Sequence, residues 1–354
     1  MKPRRSPPPA DPAAAPALFD RDGVGSHRNA LGELDFDEAL LPWIDRPGAD
    51  VAGYVDGLPH TDPMLRDRLT RWRDEGFVVL ERAVDHSLID AYLADLEELF
   101  AHPDRYEVDV KHPAHSMGPL RSLTPDEAQD RRLRVVDFHN ASVAGKKLAL
   151  ARPMVDFFAH VFREQVVAMQ SLTFRYGSEQ DVHQDHAYVV PGNPAHLGAA
   201  WIALEDIHPD AGPLGYFPGS HRIRKFDWGN GLFYDETRST RWHFQEHILA
   251  ECARLGLELR TFLPRKGDVF LWHGCLAHGG TPQRDPSRTR LSLAVHYSSV
   301  PAYPRASRRT DVPPTRYLFN GAVVYGDPTK PEIENTFTRG FSAGTGELSL
   351  VEEP

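Results

Sequence analysis

Cysteine is nearly missing from this chain: Cys252 and Cys275 are its only two. Two thiols make no disulfide framework, and these are not spaced as a Cys-x-x-Cys metal clip, so a reducing, cytoplasmic setting is expected. Long apolar runs are missing as well. No stretch approaches the roughly 18 to 20 uninterrupted apolar residues of a membrane span. The Pro- and Ala-rich N-terminus lacks the apolar centre of a signal peptide. A basic excess is the third absence. The chain has 40 basic against 50 acidic residues, for a formal charge of −10. Its arginines are scattered, which disfavours nucleic acid as the main partner. What is present is a 41% hydrophobic chain of 354 residues, enough for a sizeable core.

Six prolines and no periodic pattern in residues 1–18 read as a disordered tail, and 346–354 as a flexible C-terminus. Residues 19–345 are expected to form one domain. A helix is expected from Asp62 to Asp74, where Leu65, Leu69 and Trp72 share a face. A second follows Asp85 with Leu88, Tyr92, Leu96 and Leu99 as its stripe. Further helical pieces fit 143–151, 153–163 and 243–255. Strands are expected at 77–80, 166–176, 198–207, 257–263, 268–273 and 290–299, separated by turn signals such as Pro218-Gly219 and Lys266-Gly267-Asp268. No internal repeat of fixed period occurs. Short strands with long connections, without helix–strand alternation, predict an α+β chain with a mainly β core. That core is a double-stranded β-helix (jelly roll, cupin-like) braced by the N-terminal helices.

The chemistry concentrates in His183-Gln184-Asp185. On an extended backbone, residues two apart face the same side, so His183 and Asp185 can offer a nitrogen and an oxygen to one ion. Two histidines and one carboxylate suit non-haem Fe(II) chemistry with O2. The second histidine must come from another strand. His278, which opens a Gly-rich turn, is favoured over His273, which closes an alternating strand and reads as a buried, hydrogen-bonded residue. If the ion is Fe(II), a co-substrate such as 2-oxoglutarate is needed, and its far carboxylate calls for a planar cation. Alternation puts Arg288, Arg290 and Ser292 on one face, so spacing alone does not choose between the two arginines.

Three motifs occur in order: His183-Gln184-Asp185, the run Gly212-Pro213-Leu214-Gly215-Tyr216-Phe217-Pro218-Gly219-Ser220-His221, and Gly267-Asp268 followed by His278-Gly279 and Arg288. Together they resemble the phytanoyl-CoA dioxygenase family of Fe(II)/2-oxoglutarate oxygenases over about residues 75–300. The resemblance implies His183, Asp185 and His278 as iron ligands. It implies Arg288 as the clamp on 2-oxoglutarate, with Arg290 as the alternative because the interval after His278 is about one residue short. Gln184 and Trp201 match positions lining the co-substrate pocket, and Arg134 matches a basic co-substrate contact. Tyr188, three residues past Asp185, is a candidate for the substrate pocket. The family often has a hydroxyl residue where this chain has Gly280. The presence of Asp185 argues against a halogenase. The reaction implied is hydroxylation of an aliphatic C–H bond in a small molecule, releasing succinate and CO2. The rival readings are a jelly-roll oxygenase that does not use 2-oxoglutarate and a non-catalytic ligand-binding relative.

Overall fold

The structure, a computed structural model, describes residues 26–28, 33–59, 62–113, 116–229, 231–303, 314–327, 329–333, 341–344 and 347–350. The Pro-rich segment 1–18 lies outside them. The first half carries β1 (Ser26–Arg28), β2 (Leu34–Phe36), α1 (Val51–Asp56), α2 (Leu65–Glu75), β3 (Phe77–Leu80) and α3 (His86–Ala101). It continues with β4 (Asp109–His112), β5 (Ser116–Pro119), β6 (Arg134–Val136), α4 (Val143–Ala149) and α5 (Arg152–Phe162). The second half supplies β7 (Val166–Phe174), β8 (Gly198–Ala203), β9 (Leu214–Tyr216), α6 (Arg241–Arg254), β10 (Arg260–Phe262) and β11 (Val269–His273). After these come β12 (His278–Gly280), β13 (Ser292–Ser299), β14 (Thr315–Phe319), β15 (Ala322–Gly326), β16 (Phe341–Gly344) and β17 (Glu347–Leu350). Among the described residues no helix is long and apolar enough to cross a membrane.

A large sheet contains the run β7-β13-β8-β11-β3, with β3 at its edge, and a small sheet of order β10-β9-β12 faces it. Period-2 alternation sorts the central strands. Along β11, Val269 and Leu271 turn outward to a core shared with α2–α5. Phe270 and Trp272 turn inward to a second core against Tyr216 and Phe262 of the small sheet. Ala200 and Ile202 point out on β8, while Ala199, Trp201 and Ala203 point in. Burying a Leu or Phe in such layers contributes about 1.5–3 kcal/mol each. The helical brace is anchored by Trp72 of α2, whose ring meets Phe157 and Phe158 of α5 edge-on at 5.3 and 5.7 Å. Gly76 ends α2 in the left-handed region at φ 78°, which returns the chain directly into β3.

Two expectations need correcting. The helix assigned to Asp62 starts at Leu65, because Asp62 spends its carboxylate on the Met64 amide in the preceding turn. The segment 102–140, where no strand was expected, contains β4 and β6, which extend the large sheet beyond β7. In addition, Glu347–Leu350, within the segment expected to be flexible, is a strand lying parallel to β14.

Candidate active site

The small sheet ends in a bridge between His183 and His278, whose backbones exchange hydrogen bonds at 2.9 and 3.0 Å. This sets the two imidazoles side by side, with ring centroids 4.4 Å apart. Each Nδ1–H donates to the carbonyl two residues back, on Asp181 at 2.8 Å and Leu276 at 2.9 Å. That fixes the tautomer, so both Nε2 lone pairs point into the cleft. Asp185 Oδ1 lies 3.4 Å from His183 Nε2 and 3.7 Å from His278 Nε2. One donor atom from each of the three buried residues falls within 4.8 Å of the others.

The second carboxylate oxygen is held from behind. Trp272 Nε1 donates to Asp185 Oδ2 at 2.8 Å, and His296 Nε2 approaches it to 3.3 Å. Burial opposes charge on Asp185, but His278, His296 and His183 outweigh it and keep the carboxyl well below its ordinary range. Burial likewise pushes His278 down to about 4, against the pull of Asp185. At neutral pH His278 is therefore a neutral imidazole beside the Asp185 carboxylate. This donor set fits Fe(II) with coordination positions left open. Gln180 Nε2 donates to His183 Nε2 at 3.0 Å, so a metal that takes this lone pair displaces the Gln180 amide.

The run 212–221 serves as the cradle for His278. Gly215 pairs with Gly279 and Tyr216 with His278 across β9 and β12. Ser220 Oγ accepts the Ala277 amide at 2.8 Å, and the Phe217 amide donates to Ala277 at 3.0 Å. Gly280 is the other close approach. A Cβ there would stand 2.6 Å from Ser178 Oγ and 2.7 Å from the Glu179 nitrogen. The missing hydroxyl thus reflects how tightly β12 packs on the segment leading into His183.

A cavity of about 1120 Å³ opens beside the trio. Arg290 enters it from the large sheet, on the same inward face as Ser292, Ala294 and His296. Its side chain is buried, with the guanidinium carbon 5.4 Å from the ring centres of Phe174 and Trp201. Nη2 reaches only the Tyr176 carbonyl, at 3.5 Å, while Nε has no partner. Burial, with Arg134 nearby, lowers it to about 9. Arg288 is elsewhere. It sits in the turn before β13, half exposed and paired with Asp285 at 3.0 Å, and does not line the cavity. The strand begins only at Ser292, so the alternation that would have turned Arg288 inward does not extend back to it.

Gln184 is a second correction. With His183 and Asp185 facing the cavity, it must face the opposite way. Its amide donates to the Cys275 and Ser220 carbonyls and lines no part of the cavity. Trp201, Arg134 and Tyr188 do line it. Tyr188 stands edge-on to His183 at 6.0 Å and packs on Tyr234 at 4.9 Å; burial raises its hydroxyl to about 12. His273 is not brought to the trio. Its Nδ1 accepts the Cys275 amide at 3.0 Å, and its Nε2 meets Asp45 at 3.3 Å. Lys111, Trp272 and His296 line the cavity without having been singled out from the sequence. The parity of β13, Ser292 to His296, was the signal that could have found the last of them.

The sequence profile of the phytanoyl-CoA dioxygenase family matches residues 72–290. No curated protein matches the chain in sequence. Among solved structures it resembles the epimerase SnoN in complex with Fe3+, alpha ketoglutarate and nogalamycin RO. Identity is 20%, over 68% of this chain and 85% of that one, with a TM-score of 0.50. It also resembles EctD from S. alaskensis with 2-oxoglutarate and 5-hydroxyectoine, at 19% identity over 79% and 89% of the two chains and a TM-score of 0.49. At 20% identity the likeness to SnoN is one of fold.

Proposed function

Because the chain belongs to the phytanoyl-CoA dioxygenase family, we propose that it is an Fe(II)- and 2-oxoglutarate-dependent oxygenase that hydroxylates an aliphatic C–H bond of a small molecule. When bound, iron and 2-oxoglutarate supply the oxidation of an unactivated C–H bond by O2, with release of succinate and CO2. The protein supplies binding, geometry and a dry site. His183 and His278 hold the ion through nitrogens whose tautomers are locked by Asp181 and Leu276. Asp185 would offer Oδ1 to the ion, with Oδ2 held by the Trp272 N–H.

Arg290 takes the far carboxylate of the co-substrate. It is a planar donor, charged at neutral pH, buried between Trp201 and Phe174 without a carboxylate partner among the described residues. Water is kept away by the apolar lining that Leu172, Phe174, Trp201 and Leu214 give the cavity. Tyr188 and Phe244 border the substrate side. Cys252 and Cys275 are both free and buried, in keeping with a cytoplasmic setting.

The observation that carries this reading is the buried His183–Asp185–His278 trio opening into a cavity that also holds an unpaired arginine. It is tested by measuring Fe(II)-dependent conversion of 2-oxoglutarate to succinate without added substrate. Wild type is expected to turn over slowly and Asp185→Ala not at all. Iron-independent succinate, or none from the wild type together with no thermal shift on adding Fe(II) and 2-oxoglutarate, would refute it.

A further inference from the structure

The sheet register lines up a row of cations that the metal and co-substrate leave unused. Lys111 on β4 lies directly opposite Arg134 on β6, Arg134 opposite Phe174 on β7, and Phe174 opposite Ser292 on β13. Residues in register share a face, and all but Ser292 line the cavity. Arg134 and Arg290 both approach the Phe174 ring, at 5.5 and 5.4 Å from its centre. Like charges directly opposite one another destabilise a strand pair. Burial, with Arg134 and Arg241 close by, depresses the Lys111 ammonium.

No carboxylate among the described residues relieves this row. The acidic residues lining the cavity are Glu179, Asp181 and Asp185. Glu179 accepts the Gln283 amide, Asp181 accepts from Gln245, and Asp185 is the proposed ligand. Asp130 is taken by Arg132 and His112. One 2-oxoglutarate offers a single free carboxylate, which satisfies Arg290. Lys111 and Arg134 then remain facing a cavity large enough for a second molecule.

The neighbouring row on the same face is apolar, with Val136 opposite Leu172 and Leu172 opposite Ala294. Beyond it come Gln170 and His296, the latter touching Asp185. At about 3.3 Å rise per residue, the cation row and the His296 row stand roughly 13 Å apart at backbone level.

We propose that the substrate is an organic oxyanion, a carboxylate or phosphate, gripped by Lys111 and Arg134, with an apolar segment between that anion and the carbon to be oxidised. This rests on the function proposed above, since Arg290 must be occupied by 2-oxoglutarate for the second anion to be the substrate's. Hexanoate, hexyl phosphate and hexanamide serve as probes. Binding is measured by anaerobic calorimetry on protein saturated with Fe(II) and 2-oxoglutarate. At least one anion is expected to bind ten-fold or more tightly than hexanamide, and the better of the two identifies the group.

Lys111→Met should abolish that preference while leaving 2-oxoglutarate affinity within about three-fold. Lys111→Glu should instead admit hexylamine. Equal binding of the anions and hexanamide, no saturable anion binding, or a preference that survives Lys111→Met overturns the proposal. Uptake of 2-oxoglutarate is recorded first. If it fails, the co-substrate reading falls, and the same probes on metal-free protein still report whether Lys111 and Arg134 form an anion site.

Discussion

Replacing Arg290 by Met should make the metal-free protein more stable and the co-substrate complex much weaker. The folded protein keeps this guanidinium buried with no carboxylate partner, and burial brings it from 12.5 down to about 9. A shift of that size is a cost on the order of 5 kcal/mol as an upper bound, at 1.36 kcal/mol per unit. The neighbouring Phe174 and Trp201 rings offset part of it. Because the folded value lies below the unfolded one, the cost is fully present at pH 7 and is relieved only above about pH 9. Methionine fills similar space without the charge, so the midpoint of thermal unfolding should rise. Truncating a buried, hydrogen-bonded charge pair costs about 2–5 kcal/mol, so 2-oxoglutarate affinity should fall at least ~30-fold. Arg288→Met is the control: that residue is half exposed and paired only with Asp285, so it should change either quantity by less than about 1 kcal/mol. Calorimetric titration of 2-oxoglutarate into Fe(II)-loaded protein, with melts of the metal-free variants, decides the matter. Loss of affinity in Arg288→Met with affinity kept in Arg290→Met would refute the reasoning.

Three further outcomes are expected. Trp272→Phe removes the N–H that holds Asp185 Oδ2; Fe(II) affinity by competition with a chelator should drop about 10- to 100-fold, while far-ultraviolet dichroism stays unchanged. Gly280→Ser pushes a Cβ against Ser178 and the Glu179 backbone. It should cost about 1–3 kcal/mol in urea unfolding and weaken metal binding, rather than add a useful hydroxyl. Stability should also fall as pH drops from about 6.5 toward 4. Burial holds His139 at about 4, so in that window the unfolded chain binds the extra proton. Melts of wild type and His139→Gln at pH 7 and pH 4.5 check this, with the smaller pH-dependent loss expected in the variant.

The geometry of the trio was legible because it rests on one rule. Two residues apart on an extended chain share a face, which placed His183 with Asp185 and equally turned Gln184 away. The second consequence was overridden by the family resemblance, and the structure restores it. His278 was readable from the Gly-rich turn after a buried strand. Arg290 was readable only as one of two, because alternation does not announce where a strand starts, and β13 starts at Ser292. Lys111 was not readable at all. It sits on a four-residue strand in a stretch crowded with Pro, His and Gly, and strand pairing with β6 organises it more than any local preference. The same holds for Trp272, which reads as core until its N–H is seen to meet Asp185.

The central claim is that His183, Asp185 and His278 bind one iron and that 2-oxoglutarate binds through it. Anaerobic titration of Fe(II) into the metal-free protein, followed by 2-oxoglutarate, tests this directly. One equivalent of Fe(II) is expected to bind, with co-substrate uptake only after the metal and loss of both steps in Asp185→Ala. Uptake of 2-oxoglutarate that is equal with and without metal, or Fe(II) binding that survives Asp185→Ala unchanged, would contradict it.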